Sequence, residues 1–109
     1  MAELDPDTAA PLEITVDRDV DGAPVVTVAG ELDSSNAHVL AARMGSVTHT
    51  DPERLVFDLS DLRFMDSAGL AILVRAAAEI DTIELRRPSP IVSRLIELTG
   101  LTSVLRIVA

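Results

Sequence analysis

Cysteine is absent from this 109-residue chain, which excludes disulfides, thiol catalysis and thiolate metal sites together. Long apolar runs are also lacking, and none approaches the length that a membrane span requires. The acidic N-terminus has neither the basic nor the apolar region of a signal peptide. We therefore expect a cytoplasmic protein that works in a reducing compartment and has no membrane partner.

Aromatic residues are scarce as well, at 2% of the chain, and Phe57 and Phe64 are the only two. The predicted core is therefore aliphatic, and RNA recognition through stacked rings is disfavoured. The 9 basic residues are outnumbered by 18 acidic ones, which gives a formal net charge of -9. An acidic surface repels phosphate backbones, so we expect no direct nucleic-acid ligand and favour a basic protein partner.

The length fits one domain with one core. Residues 1–11 are acidic, contain two prolines and show no periodicity, which predicts a flexible tail before a domain over residues 12–109. The domain begins with a predicted hairpin. Leu12, Ile14 and Val16 alternate with polar residues as in a strand. Asp21–Gly22 then indicates a turn, and Pro24 to Ala29 indicates a second strand.

Strand and helix signals alternate after the hairpin. The first helix is capped by Asp33, Ser34 or Ser35 and runs through about Gly45, and a buried strand follows at Leu55 to Leu59. A second helix runs from Ser67 to about Ile80, and a strand follows near Thr82 to Leu85. A third helix begins at Ser89–Pro90 and ends at Gly100, and an edge strand is predicted at Val104 to Val108. This order predicts an α/β sandwich with a mixed sheet of four to five strands and helices mainly on one face.

Ser67 stands at the start of a predicted helix, after an apolar strand and a short polar loop. Free backbone N–H groups and the helix dipole favour an anion at such a position. A serine there can act as a cap, a nucleophile or a phosphate acceptor. The outer face of this helix carries mostly small residues, which let another protein approach closely: Ser67, Ala71, Arg75, Ala78 and Glu79.

A hydrolase is poorly supported, because a nucleophilic serine needs a base and the two histidines, His38 and His49, fall in a helix and a polar loop. The serine segment lacks the first glycine of the Gly-x-Ser-x-Gly elbow, and no Gly-x-x-x-x-Gly-Lys loop occurs. Asp58, Asp61 and Asp66 could hold a metal, but carboxylates around helix starts are usually caps or solvated groups. We therefore predict neither catalytic nor metal-binding residues.

Three blocks of the chain resemble the anti-sigma factor antagonists, which are single-domain members of the STAS group. The blocks are Val28–Asp33, Leu55–Ser60 followed by Phe64–Leu70, and Arg87–Leu101, in the family's order over about residues 12 to 108. The Asp-Ser-small-Gly-Leu segment at 66–70 is the most specific of them. The resemblance implies a STAS-like sandwich and a regulator that catalyses nothing.

A regulatory cycle is implied by the same resemblance. The unphosphorylated antagonist binds an anti-sigma factor that is itself a serine kinase and frees the sigma factor; phosphorylation of the serine matching Ser67 releases it, and a metal-dependent serine phosphatase removes the phosphate. Nucleotide and magnesium would belong to the kinase, so no cofactor is expected on this chain. The partner-binding residues that we predict follow the two strand ends or lie near Ser67 on its helix: Asp33, Ser34, Asn36, Asp66, Gly69, Ala71 and Arg75.

The chain departs from the family pattern in two places. The helix after Ser67 passes almost directly into the next strand, and Asn36 stands where relatives often have threonine. About fourteen residues at ~1.5 Å each can still cross the sheet, so we predict a helix ending by about residue 80 and a parallel strand starting within three residues. Two rival functions stay open: a STAS-type docking subunit of another complex, such as a transporter ATPase, with Ser67 only a cap, and a small serine or metal hydrolase.

Overall fold

A computed structural model describes residues 11–108; the predicted tail, apart from Pro11, and Ala109 lie outside the described residues. The strands are β1 Glu13–Arg18, β2 Pro24–Leu32, β3 Arg54–Asp58, β4 Leu62–Met65, β5 Thr82–Arg86 and β6 Arg106–Val108. The helices are α1 Ala37–Thr48, α2 Ser67–Glu79 and α3 Pro90–Leu98, and a 3-10 turn follows at Leu101–Ser103. The predicted α/β class is confirmed.

The sheet is mixed, in the order β1-β2-β3-β5-β6, with β4 paired to the end of β2. β1 and β2 form the predicted antiparallel hairpin, and the other pairings in the described segment are parallel. Residues 11–108 form six strands, where the sequence predicts four to five. The additional strand is β4, in which the exposed Arg63 and Phe64 interrupt the apolar pattern and give the segment the look of a polar loop.

A bend at Gly30 allows β2 to serve two neighbours. The first part of β2 pairs with β3 and its last three residues pair with β4, with a register slip between Gly30 and Glu31. Gly30 has φ +96°, a left-handed conformation that would cost a residue with a side chain about 1–2 kcal/mol. The bend brings Leu32 and Met65 to the same edge of the sheet, and this edge is where the candidate site lies.

The three helices contribute to one aliphatic core, in which Phe57 is the buried aromatic side chain. The opposite face of the sheet carries charged residues. There the Arg54 guanidinium contacts Glu84 on β5 at 3.0 Å. It also contacts Asp19 and Asp21, each at 2.8 Å, in the hairpin turn. These ion pairs connect the hairpin turn to the start of β3 and the middle of β5.

Two helices begin and end close to where the sequence predicts. α2 spans Ser67–Glu79, and β5 begins at Thr82 parallel to β3, so the predicted short crossover is confirmed. Ser89 caps α3 by accepting a backbone hydrogen bond, and Pro90 is its first residue. Gly100 follows the helix with φ +73°. Local sequence signals are sufficient here because cap, first residue and terminating glycine lie within a few positions of each other.

α1 differs from the prediction at both ends. Its N-cap position is occupied by Asn36. Asp33, Ser34 and Ser35, the predicted caps, instead form a turn that precedes the helix. The helix also continues through Gly45 to Thr48. Glycine often ends a helix by adopting a left-handed conformation, but Gly45 has no positive φ. The backbone N–H of His49 still donates to the carbonyl of Gly45, so the helical hydrogen bonding continues past the glycine.

Candidate functional site

The candidate site lies where β2 and β4 end side by side. Leu32 and Met65 are paired in register, and the N–H of Asp66 donates to the carbonyl of Leu32 at 3.2 Å. The loop after β2 therefore passes the start of α2, where the N–H of Ser34 donates to the Asp66 carboxylate at 3.3 Å. The segments that contain Asp33 and Asp66 thus meet at one edge of the sheet, as the strand order predicts.

Asp66 is the N-cap of α2. Its Oδ1 accepts hydrogen bonds from the backbone N–H groups of Ala68, at 2.9 Å, and Gly69, at 3.3 Å. Its Oδ2 accepts from the N–H of Ser34. The carboxylate therefore satisfies N–H groups that the start of a helix leaves free, and it also joins the two loops.

Ser67 is the first residue of α2, and its side chain is exposed. Within residues 11–108 the Ser67 hydroxyl forms no hydrogen bond, and the helix does not need it as a cap because Asp66 fills that position. The docking alternative gives Ser67 only a capping role, and the structure assigns that role to Asp66. The hydroxyl is left at the positive end of a helix dipole, where a phosphate is stabilised.

The turn that leads into α1 is held by its own side chains. Asp33 accepts hydrogen bonds from the hydroxyl and the N–H of Ser35, and these donors hold the pKa of Asp33 below its usual range. Asn36 accepts from the N–H of Asp33 at 2.9 Å and donates to the carbonyl of Glu31 at 2.8 Å. Asn36 is therefore committed to the turn, while Ser34 and Ser35 are exposed beside α2.

The outer face of α2 continues the site away from its first residue. Ala71, Arg75 and Ala78 are exposed, as their spacing predicts. They border a shallow, mainly apolar groove of about 470 Å³, whose lining residues are Ser67, Leu70, Ala71, Val74, Arg75, Ala78, Thr99 and Leu101. Thr99 and Leu101 belong to the third block that resembles the family, but the sequence does not mark them as site residues, because only the tertiary structure brings them beside α2.

Gly69 does not belong to this surface. It is buried, and a Cβ atom there would lie 2.6 Å from Cδ2 of Leu32 and 2.8 Å from Cγ of Met65. Side-chain atoms essentially never approach so closely, so the absence of a side chain lets α2 pack against the ends of β2 and β4. The sequence-based prediction includes Gly69 among the partner-binding residues, whereas the structure gives it a packing role beneath them.

The arrangements that catalysis would need are not found in the part of the chain that the structure describes. His38 and His49 are exposed, and neither forms a hydrogen bond with Ser67. Asp58, one of the carboxylates considered for a metal, pairs with Arg87 at 2.7 Å. No group of three or more His, Asp or Glu side chains among these residues could hold a metal ion, and no helix among them is long and apolar enough to cross a membrane.

The chain is similar to a protein family and to known regulators. The family model described as "Mlab, STAS domain" matches residues 14–108. RsfB, an anti-sigma-F factor antagonist of Mycobacterium tuberculosis, is 38% identical over 73 residues, which make up 66% of this chain. The match spans 60% of the length of that curated relative.

Solved structures resemble the whole fold. The crystal structure of an anti-sigma factor antagonist from Mycobacterium paratuberculosis has a TM-score of 0.81 at 33% identity, covering 94% of this chain and 87% of that one. The unphosphorylated form of SpoIIAA of Bacillus shares the fold with a TM-score of 0.75 at 20% identity, covering 89% of both chains. Its phosphorylated form has a TM-score of 0.69 at 19% identity, covering 89% of this chain and 92% of that one. This chain belongs to the STAS domain family of anti-sigma factor antagonists.

Proposed function

We propose that this chain binds a kinase-type anti-sigma factor through the surface around Ser67 and is released when Ser67 is phosphorylated. One observation carries the proposal: Ser67 is exposed at the start of α2, while the neighbouring Asp66 performs the capping. A serine without a structural task at this position can accept a phosphate without loss of the helix. Membership of the family supports the same interpretation.

Phosphorylation of Ser67 would leave the fold intact. A phosphate adds about -1.5 to -2 charges at neutral pH, and the start of a helix is a favourable place for them. SpoIIAA, which has the same fold, has been solved with and without its phosphate. The fold itself therefore accommodates such a group.

The same phosphate would weaken binding to the partner. It would add negative charge beside Asp66 and close to Asp33, and like charges placed together in an interface cost several kcal/mol. Ala71 and Ala78 have short side chains, which allow a partner to lie close to α2 and leave little space for a phosphate and its water. Phosphorylation would therefore act on the complex rather than on the free protein.

The chemistry of this cycle would belong to the partners. The anti-sigma factor would bind nucleotide and magnesium and transfer the phosphate, and a metal-dependent serine phosphatase would restore Ser67. This chain would be a ligand and a substrate in the cytoplasm, not an enzyme. The residues proposed to contact the anti-sigma factor are Asp33, Ser34, Asn36, Asp66, Ala71 and Arg75, with Gly69 supporting them from below.

The switch can be tested by measuring the affinity of the purified anti-sigma kinase, with and without ATP, for wild type, Ser67→Ala and Ser67→Glu. Wild type should bind, gain one phosphate by mass measurement and be released in ATP. Ser67→Ala should remain bound in both conditions, and Ser67→Glu should bind at least tenfold more weakly because its carboxylate enters the interface next to Asp66. Wild type that binds its kinase, gains no phosphate and stays bound in ATP would refute the switch.

The docking face can be tested separately with Ala71→Arg. The site is exposed on α2, so the variant should keep the Tm of wild type, while the long side chain should weaken kinase binding by about tenfold or more, since it holds the two surfaces apart. A matched substitution, Ala42→Arg, places the same side chain on the exposed part of α1, away from this groove. Equal affinities for Ala71→Arg and Ala42→Arg would argue against the proposed face.

A second candidate is a STAS subunit that docks on another complex without phosphorylation. One observation favours it, namely that the matching family model is described by the name Mlab rather than by anti-sigma factor antagonism. Such a subunit would use the same surface, but wild type and Ser67→Ala would bind its partner equally in the presence and absence of ATP. The ATP dependence of binding therefore separates the two candidates.

A further inference from the structure

Gly45 occupies a helical position in which packing within the domain does not require glycine. The helix continues through it to Thr48, and its φ is not positive. A Cβ atom built on Gly45 would meet nothing within 4 Å. Alanine would fit there and would favour the helix, because glycine pays a larger loss of backbone freedom. Without a side chain at this position, the backbone of α1 is open to close approach by another protein.

A groove of about 200 Å³ lies between α1 and α2 at this position. Its walls include Ala41 and Gly45 from α1 and Ile72 and Ala76 from α2. The volume suits one large apolar side chain. Gly45 lines this groove, and a Cβ atom there would extend into space that no neighbouring atom occupies within 4 Å, so a long side chain at position 45 has room to reach across the groove.

Arg75 and Glu79 border this α1–α2 groove, one helical turn apart on α2. Neither of them forms an ion pair with a residue between 11 and 108, although they carry opposite charges. Both are exposed, so an approaching surface can reach them. A helix that carries an acidic residue followed by a basic one at the matching spacing would complement these two charges.

The α1–α2 groove is continuous with the surface around Ser67, because Arg75 lines both grooves. Arg75 lies eight residues after Ser67, about 12 Å along the helix axis. A stable protein interface covers about 800 Å² on each partner, which extends well beyond that distance. A partner that covers Ser67 can therefore also cover Gly45.

We propose that the α1–α2 groove receives a single large apolar side chain from a helix of the anti-sigma factor, whose flanking charges pair with Arg75 and Glu79. Gly45 keeps the groove open and lets the partner helix approach α1. This inference rests on the proposed function and adds to it a second anchoring point, away from the phosphorylated residue. Because the anchor is distant from Ser67, it supports affinity and does not take part in the switch.

The first test fills the groove. Gly45→Leu should keep the fold, since leucine is a good helix former and no atom obstructs position 45, and should bind the purified anti-sigma kinase at least tenfold more weakly than wild type. Gly45→Ala should raise the Tm and weaken binding less than Gly45→Leu does. The matched control is Ala42→Leu, which adds a leucine on the same exposed helix but outside the groove and should bind as wild type does.

The second test uses the absence of cysteine, which makes an engineered thiol unique in the chain. In Gly45→Cys, saturating kinase should protect the thiol from a maleimide reagent. In Val20→Cys, at the fully exposed tip of the hairpin turn, the thiol should react equally with and without kinase. Two results would overturn the anchoring point even if ATP still releases wild type. One is a thiol in Gly45→Cys that stays reactive in the complex, and the other is a Gly45→Leu variant that binds the kinase as tightly as wild type. Wild type that fails to bind the kinase at all would instead overturn the proposed function, and the anchor with it.

Discussion

The two ends of the sheet are held in different ways. At the amino end of β3, Arg54 contacts three carboxylates, two from the hairpin turn and one from the middle of β5. At the carboxyl ends of β2 and β4, the loops are joined by backbone N–H groups that donate to Asp66. The first region is held by ion pairs between charged side chains. The second is held by hydrogen bonds from backbone N–H groups, and the Ser67 hydroxyl there forms no hydrogen bond with the described residues.

This difference suits the proposed phosphorylation of Ser67. An ion-pair network responds to every added charge nearby, because each charge alters the energy of all the others. Backbone N–H groups at a helix start stay oriented and favour negative charge in any case. A phosphate on Ser67 would therefore meet a framework that tolerates it, while Arg54 binds the hairpin turn independently of that site.

The largest effect is expected from breaking the packing beneath the carboxyl end. Gly69→Ala should lower the free energy of unfolding by about 1–2 kcal/mol, because overpacking against Leu32 and Met65 outweighs the gain in helix propensity. The same substitution at Gly45, where an added Cβ atom would meet nothing within 4 Å, should raise the free energy of unfolding by about 0.5–1 kcal/mol. Urea denaturation measures both, and two shifts of the same sign would contradict the packing role of Gly69.

An intermediate effect is expected from acid at the amino end. Hydrogen bonds from Arg54 and from a backbone N–H hold the pKa of Asp19 below its usual value of 3.8. A group with a depressed folded pKa stabilises the protein fully above its unfolded pKa, and this contribution is lost as the pH falls through the folded value. The Tm of wild type should therefore drop below about pH 4.

Arg54→Met sharpens this test because it removes the main donor to Asp19. The variant should be less stable than wild type at pH 7, and its Tm should fall less steeply below about pH 4. Thermal melts followed by circular dichroism between about pH 7 and pH 3 measure the difference. Parallel pH curves for the two proteins would show that Arg54 does not hold the amino end in the way described.

The smallest effect is expected at Ser67 itself. Because Asp66 caps α2, Ser67→Ala should change the free energy of unfolding by no more than about 0.5 kcal/mol. Asp66→Ala, which removes the cap and the contact with Ser34, should cost about 1 kcal/mol or more. Denaturant unfolding of the two variants decides which residue is the cap, and a larger loss for Ser67→Ala would reverse the assignment.

Much of the fold could be predicted because its signals are local. Apolar alternation gives β1, and the turn at Asp21–Gly22 gives the hairpin. Ser89 and Pro90 begin α3, and Gly100 follows it with a left-handed conformation. In each case the residues that determine the strand, turn or helix end lie within that element or directly beside it in the sequence.

The position of Ser67 was predictable for the same reason. A strand, an aspartate, a serine and small residues in succession indicate a helix start, and the structure places Ser67 first in α2. Which of the two residues caps the helix was open in the sequence, because aspartate and serine are both good caps. The direction of the Asp66 carboxylate, which only the structure supplies, assigns the cap to Asp66.

The sequence by itself determined the α/β class, the hairpin, two of the helices and the exposed face of α2, because short-range periodicity and capping chemistry are sufficient for these features. Tertiary structure alone decided that β4 is a strand, that α1 passes through Gly45, and that Gly69 lies beneath the site. It also decided which residues line the two grooves beside α2. Each of these depends on contacts between segments distant in the chain, and no local pattern of residues encodes a contact of that kind.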